Sequence, residues 1–300
     1  MADNGHWQIR IGANPIIWSN DDFRDLGGDI PLDRCLAEMR QAGYDGSELG
    51  HKFPRRPEAL AELLGRYDLQ FVSGWHSLYL LERPFEAERR CFEAHADFLA
   101  RMGSRVVIVA ECSRRIYHDP EQPLRFTERD TLLNSADWQG LAVGLDELAR
   151  IAAARGLQLA YHHHMGTVIQ DRREIDELMR RTSAVRLLVD TGHLVFADVD
   201  PLAVLRAHQG RVAHVHLKDV RPDVVLRARI DKHSFSRAVR AGVFTVPGDG
   251  GIDFAPILAL LRRSGYAGWL VVEAEQDPRR SLPLHYARLG REHLRRLAGV

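Results

Sequence analysis

The sequence predicts an α/β protein folded as one (β/α)8 barrel over residues 1–300. Eight short β-type runs alternate with helix-period segments from one end to the other, the pattern of a parallel sheet built from βα units. Helix after helix closes on a basic residue and a glycine just before the next strand. No low-complexity tract or long polar linker interrupts the alternation, and 300 residues with 45% hydrophobic content suffice for one large core.

The first strand is QIRIGA, around residues 9–13. The helix after it, in PLDRCLAEMRQAGYDG, puts Leu32, Cys35, Leu36 and Met39 on one stripe, with Pro31 near its start and Gly43 at its end. Strands follow at GSELG (46–50), LQFVSGW (69–75) and RVVIVAE (105–111). The apolar segment IAAARG leads into LQLAYHH (157–163), and RLLVDTG (186–192) and VAHVHLKD (212–219) come next. ILALLRRSGYAG then introduces WLVVEAE (269–275). The longest stretches expected to be irregular, 112–137 and 221–253, each follow a strand, where a barrel carries lids and substrate contacts.

Lys+Arg and Asp+Glu each number 41. That balance gives no reason to expect nucleic acid or an anionic membrane as partner, and a small neutral molecule is the better expectation. Cys35, Cys91 and Cys112 are odd in number and form no CxxC pair, which reads as ordinary reduced thiols. The opening MADNGHWQIRIG has neither a basic nor an apolar targeting region, and no apolar run is long enough to span a bilayer, so a soluble, cytoplasmic protein is expected.

In such a barrel the chemistry gathers at the C-terminal strand ends. Here nearly every strand ends in an ionisable group: Glu48, His76, Glu111, His162 to His164, Asp190 with His193, the run His214, His216, Lys218 and Asp219, and Glu273 with Glu275. Alternation along a strand puts His162 and His164 on one face and His163 on the other, and gives His214, His216 and Lys218 a common face. Glu273 and Glu275 share parity too, so which of them lies closer to a metal stays open. Each residue has a plainer reading: Asp190 as a helix N-cap, His214 as a core histidine, Glu275 as a solvated strand end, HHH as a surface or local metal tract, Lys218 with Asp219 as an ion pair. A barrel interior cannot hold all of them dry and unpaired, and a divalent cation satisfies several at once. The mixed N/O donor set without cysteine suits Mn2+, Co2+ or Fe2+ better than a tetrahedral structural zinc, with catalytic zinc left open.

At VDTGH, HVHLKD and VVEAE the chain resembles the xylose isomerase-like TIM-barrel superfamily, which includes sugar epimerases, hydroxypyruvate isomerase and endonuclease IV. The resemblance implies one divalent metal held by Asp190, His216 and Glu273, with His162 standing where the epimerases carry a glutamate. Within that superfamily YHHHMGT, AGVFTVPGDGGIDF and GWLVVEAEQDP resemble the inosose dehydratase family, from GANPIIWSNDD to EAEQDP. This implies a metal-dependent hydro-lyase of inositol catabolism that removes water from 2-keto-myo-inositol (scyllo-inosose) to give a trihydroxycyclohexane-1,2-dione. Mn2+ or Co2+ and a glutathione dependence are implied by the resemblance alone.

Removing water from a polyhydroxy ketone needs a base for the α-proton, and His164 is the nominee; its spacing from His162 is similar to that in the metal-dependent dehydroshikimate dehydratase. His193 and Lys218 are candidates to orient hydroxyls or act as the acid, and Glu48, His76, Glu111 and Glu275 to bind the polyol. PGDGG reads as a tight turn beside the cleft. Competing readings are a metal-dependent sugar epimerase or isomerase, which returns the proton and keeps the hydroxyl, and a non-catalytic sugar-binding barrel. Association of copies through outer helices is possible and is left open.

Overall fold

A computed structural model describes residues 7–127, 129 and 132–299. The barrel strands are β1 (Ile9–Ala13), β2 (Gly46–Ser47), β3 (Gln70–Phe71), β4 (Trp75–Leu78), β5 (Val106–Glu111), β6 (Gln158–His162), β7 (Arg186–Asp190), β8 (Val212–Leu217) and β11 (Gly268–Val272). They form one parallel sheet in the order β3-β2-β1-β11-β8-β7-β6-β5-β4. The expected third strand is therefore two pieces, β3 and β4, separated by Val72 to Gly74. This break closes the ring, because the Ser73 carbonyl accepts from Leu49 N–H on one side and the Gly74 carbonyl from Ile108 N–H on the other.

Helices α1 (Leu32–Gln41), α2 (Pro57–Arg66), α3 (Phe85–Arg101), α4 (Ser135–Ala153), α5 (Arg172–Arg181), α6 (Thr191–Phe196), α7 (Pro201–His208), α10 (Phe254–Arg263) and α11 (Pro283–Ala298) complete the alternation. Leu36, Met39 and Cys35 of α1 are buried, as their stripe predicts, and α4 and α5 each begin with a full capping box. No helix among the described residues is long and apolar enough to cross a membrane.

Residues 221–253 are not the irregular lid expected. They fold into α8 (Pro222–Ile230), α9 (Phe235–Ala241) and a two-stranded antiparallel pair of β9 (Asp219–Val220) with β10 (Phe244–Thr245). The PGDGG turn wraps one carboxylate: Asp219 accepts from the backbone N–H groups of Val220, Gly248, Gly250 and Ile252. Asp219 thus anchors this loop and does not pair with Lys218.

Residues 112–134 carry no helix or strand among the described positions, and they are tied to the barrel by Arg129. Its guanidinium, 4% exposed, grips both carboxylate oxygens of Glu174 at 2.8 Å and the Thr167 carbonyl at 2.8 Å. Glu174 also accepts from Gln170 and Asp171 N–H, so it keeps donors when the arginine is removed. Arg129→Met is therefore expected to cost about 3 kcal/mol, the lower end for breaking a buried pair. A shift in the urea midpoint at unchanged slope measures it, and Glu174→Gln should cost less.

Candidate active site

The period-2 rule sorts the barrel interior into layers. Val106, Ile108, Ala160 and Leu188 form an apolar floor. Two residues further along the same strands come His162 after Ala160 and Asp190 after Leu188, and β8 contributes His216 in register with Asp190 and, one step lower, His214 in register with Leu188. Beyond them lie His164, Lys218, Glu273 and Glu275, the last two already past the end of β11. All are buried.

Lys218 is fully buried at the centre. An ammonium has three protons to donate. Its nearest acceptors are Glu273 Oε1 at 2.6 Å, Glu275 Oε1 at 2.8 Å and His193 Nε2 at 3.0 Å, with Asp190 Oδ2 further off at 3.3 Å. Burial opposes its charge, but Asp190, Glu273 and Glu275 outweigh that and hold Lys218 well above the usual lysine range. Its stem fits against Gly192, where an added Cβ would lie 2.5 Å from Lys218 Cγ. The Thr191 hydroxyl donates to the Lys218 carbonyl at 2.6 Å.

Asp190 serves two ends. Oδ1 accepts from His193 N–H at 2.8 Å, the N-cap bond of α6. Oδ2 is buried without a hydrogen-bond partner, 3.6 Å from His162 Nε2 and 3.7 Å from His216 Nδ1. His216 Nδ1 also lies 3.0 Å from Glu273 Oε2, while its Nε2 faces Glu48 Oε1 at 3.1 Å. Burial disfavours a charged His216, yet Glu273 and Glu48 hold it well above the ordinary histidine value. Burial would raise Glu48 and Glu273 too, but His216 prevails over it in both; Glu48 lies far below the carboxylate range and Glu273 at about 2.

Three ionised carboxylates, Glu48, Asp190 and Glu273, together with the carboxyl of Glu275, thus face one lysine and one charged imidazole. The excess negative charge, together with Asp190 Oδ2, which has an ion-pair contact at 3.3 Å but no hydrogen bond, fits a bound cation. His162, Asp190, His193 and Glu273 can bring one donor atom each to within 4.8 Å of one another. His216 Nδ1 faces the same carboxylates, whereas His193 Nε2 is engaged by Lys218. Either histidine, with His162, Asp190 and Glu273, makes an N/O set of the kind a divalent ion takes.

His164 sits in an aromatic box, with ring centroids 4.0 Å from His193, 4.8 Å from Tyr117, 5.2 Å from Phe235 and 5.9 Å from Trp75. Its Nδ1 lies 2.8 Å from the Met165 carbonyl, which can only accept. The ring proton is therefore on Nδ1, and Nε2 keeps its lone pair. Burial, with the charges of His162 and Lys218, holds His164 neutral well below the ordinary histidine pKa. Gly166, at φ +78°, allows this loop its close approach to Tyr117, and its carbonyl accepts from Ile116 N–H at 2.8 Å. His163 faces away from the cluster's centre, its Nε2 taking Asp190 N–H at 3.3 Å.

The remaining expected polyol contacts fall in different places. Glu275 joins the cluster; burial lifts its carboxyl to about 8, and Oε2 has no partner. Glu48 lies beneath it, bound to His214 at 2.8 Å and to Asn14 Nδ2 at 2.8 Å. His76 is not brought in: it packs outward on His95 and Phe92, because residue 76 has the opposite parity to Trp75. Nor is Glu111, whose oxygens accept from Leu80 and Ser113 N–H.

Sequence reasoning missed Asn14, whose amide bridges Glu48 and Glu273 at 2.8 and 2.9 Å. The signal was present, since Asn14 is the polar residue that ends the first strand. It also missed Trp75, which packs edge-on against His162 at 5.3 Å.

A closed parallel barrel with this polar layer at its C-terminal mouth defines a class of metal-assisted barrel proteins, and the chain belongs to the xylose isomerase-like TIM-barrel family, whose family model matches residues 27–297. It is 45% identical to the inosose dehydratase of Geobacillus thermodenitrificans (strain NG80-2), over 98% of both chains. It is 47% identical to the rhizopine catabolism protein MocC of Rhizobium meliloti, over 99% of this chain and 91% of that one. A solved structure of an IOLI protein with a bound zinc atom shares the fold, with a TM-score of 0.62 at 16% identity, covering 97% of this chain and 98% of the other.

Proposed function

We propose that this protein is an inosose dehydratase that removes one water from 2-keto-myo-inositol to give a trihydroxycyclohexane-1,2-dione in inositol catabolism. The substrate class follows the name of its full-length inosose dehydratase relatives. The observation that carries the chemistry is the His164 tautomer: a buried, neutral imidazole with Nδ1–H committed to Met165 and Nε2 free, beside the carboxylate cluster.

In this reading His162, Asp190, His216 and Glu273 hold a divalent cation, Mn2+ or Co2+. When bound, it supplies Lewis-acid stabilisation of negative charge on the ketone oxygen. His164 Nε2 takes the proton from the carbon α to the carbonyl, the C–H electron pair forms the Cα=Cβ bond as the bond to the β-hydroxyl breaks, and the resulting enol, which keeps the α-hydroxyl, tautomerises to the 1,2-dione by moving that hydroxyl's proton to Cβ. Glu275, protonated on the free Oε2, gives its proton to the departing hydroxyl, which leaves as water. Lys218, held charged by Asp190 and Glu273, is a poor acid, and with His193 it orients hydroxyls.

Mass spectrometry of 2-keto-myo-inositol incubated with metal-stripped protein, with and without Mn2+, tests this. Metal-dependent loss of one water is expected. An unchanged mass with a shifted chromatographic position would replace this reading by that of an epimerase or isomerase.

A further inference from the structure

The loop between β1 and α1 carries two adjacent aspartates with different fates. Asp21 is taken up by His51, whose Nδ1 lies 2.6 Å from Asp21 Oδ1 and whose N–H donates to the same oxygen at 3.2 Å. Asp22 has no such partner. Its own N–H and that of Phe23 donate to Asn20 Oδ1 at 2.8 and 2.7 Å, an Asx turn that fixes the backbone and leaves the Asp22 carboxylate free to project.

It lies at the mouth of the pocket, 3.6 Å from His118, whose ring is 4.2 Å from that of Tyr117, itself 4.8 Å from the His164 ring. Asp22 feels the charges of Glu273, Lys218 and Arg115, and Glu275 and Tyr117 feel that of Asp22. Its one close basic group is His118, Nε2 to Oδ1 at 3.6 Å, too long for a good hydrogen bond. Burial and Arg115 keep that imidazole neutral down to about 4, so it is no counter-ion near pH 7. Burial, together with Asp21 and Glu273, lifts the Asp22 carboxyl itself to about 7.

The loop is also held in place. Phe23 packs on Phe235 with centroids 6.2 Å apart, and Phe235 packs on His164 at 5.2 Å and Tyr117 at 6.0 Å. Arg240 clamps Asp25 through two bonds of 2.7 and 2.9 Å. A fixed carboxylate, three-quarters shielded and without a hydrogen-bond donor among the described residues, thus stands at the edge of the aromatic box around the proposed base.

We propose that Asp22 is a substrate-positioning residue that accepts hydrogen bonds from ring hydroxyls of the polyol at the mouth of the pocket and so registers the α-carbon over His164. This rests on the dehydratase reading, in which the substrate is a ring carrying hydroxyls on every carbon but the ketone. A rim carboxylate can bind vicinal hydroxyls far from the reacting bond, so its loss should act on binding more than on turnover.

The test compares wild type, Asp22→Asn, Asp22→Ala and His118→Ala by steady-state kinetics on 2-keto-myo-inositol with Mn2+, by calorimetric titration of the same ketone, and by melting temperature. Expected is a rise in KM of about tenfold or more in both Asp22 variants. Their kcat should change much less, their melting should be unchanged, and His118→Ala should not reproduce the effect. An unchanged KM in Asp22→Asn, or an equal rise in His118→Ala, would overturn the proposal while leaving the dehydratase reading intact. Should wild type release no water, that reading fails by itself; the titration then decides Asp22, with equal affinity in wild type and Asp22→Asn overturning it and weaker affinity in the variant supporting it.

Discussion

His164→Ala is expected to lower kcat for water loss by about two to four orders of magnitude, the usual contribution of a positioned base. The argument is local. Met165 fixes the tautomer, the box of Trp75, Tyr117, His193 and Phe235 keeps the ring dry, and Nε2 has no protein partner that a substrate proton must displace. Removing the imidazole leaves the groups proposed to hold the cation untouched, so metal content by elemental analysis should be retained. Exchange of the ketone's α-hydrogen with D2O separates the roles: it should vanish with the base even when elimination is blocked. Persistence of that exchange in the variant would mean that another group takes the proton.

The same residue sets a pH expectation. The charged form of His164 is disfavoured in the folded protein by burial and by the charges of His162 and Lys218, so its pKa lies well below 6.5. The neutral, active form is then present above that lowered value and is lost only as pH falls through it. The acid limb of the kcat profile should therefore lie below pH 6.5, where an unperturbed histidine would already be half protonated. A limb centred at 6.5 would place the proton-accepting group elsewhere.

What the sequence made legible follows from alternation. In LQLAYHHHM the step from Ala160 to His162 to His164 is one face of one strand, and the same holds for His214, His216 and Lys218. Because the barrel wall is regular there, parity alone puts these side chains in one space. Parity fails where the strand breaks. His76 lies just past the interruption at Val72 to Gly74, and it faces α3. The two helices in 221–253 were hidden for a different reason. In α8, Val225 and Ala228 are buried while Leu226 and Ile230 are 59% and 69% exposed, so its apolar residues make no single stripe. Asp22 could not be read at all, since its importance lies in the donors it lacks, and only coordinates show which of two neighbouring aspartates His51 has taken.

Lys218→Met should give the largest stability change, and the effect should depend on metal. Without the ammonium, Glu273 and Glu275 lose their shortest contacts and Asp190 its nearest cation, all inside a buried layer. Breaking a buried charge network from one side costs about 3–5 kcal/mol. For a chain of this size that is a fall of roughly 10 °C in melting temperature. Added Mn2+ should recover more of it in the variant than it adds to wild type, because a cation can take over the released carboxylates. The sign with pH is fixed by Asp190 and Glu273. Burial would raise both, but Lys218, with neighbouring histidines, holds them below the usual carboxylate range in the wild type. The stability they contribute is present above about pH 4 and is lost as pH falls through their lowered values. The variant lacks the Lys218 part of that depression, the largest for Asp190 and second to His216 for Glu273, so the gap between the two proteins should be full above about pH 4 and narrow below it. Urea unfolding of metal-free protein from pH 7 down to pH 2 checks this, and a gap that does not narrow below pH 4 would mean that Lys218 stabilises the layer by packing against Gly192 and Phe244 and not by its charge.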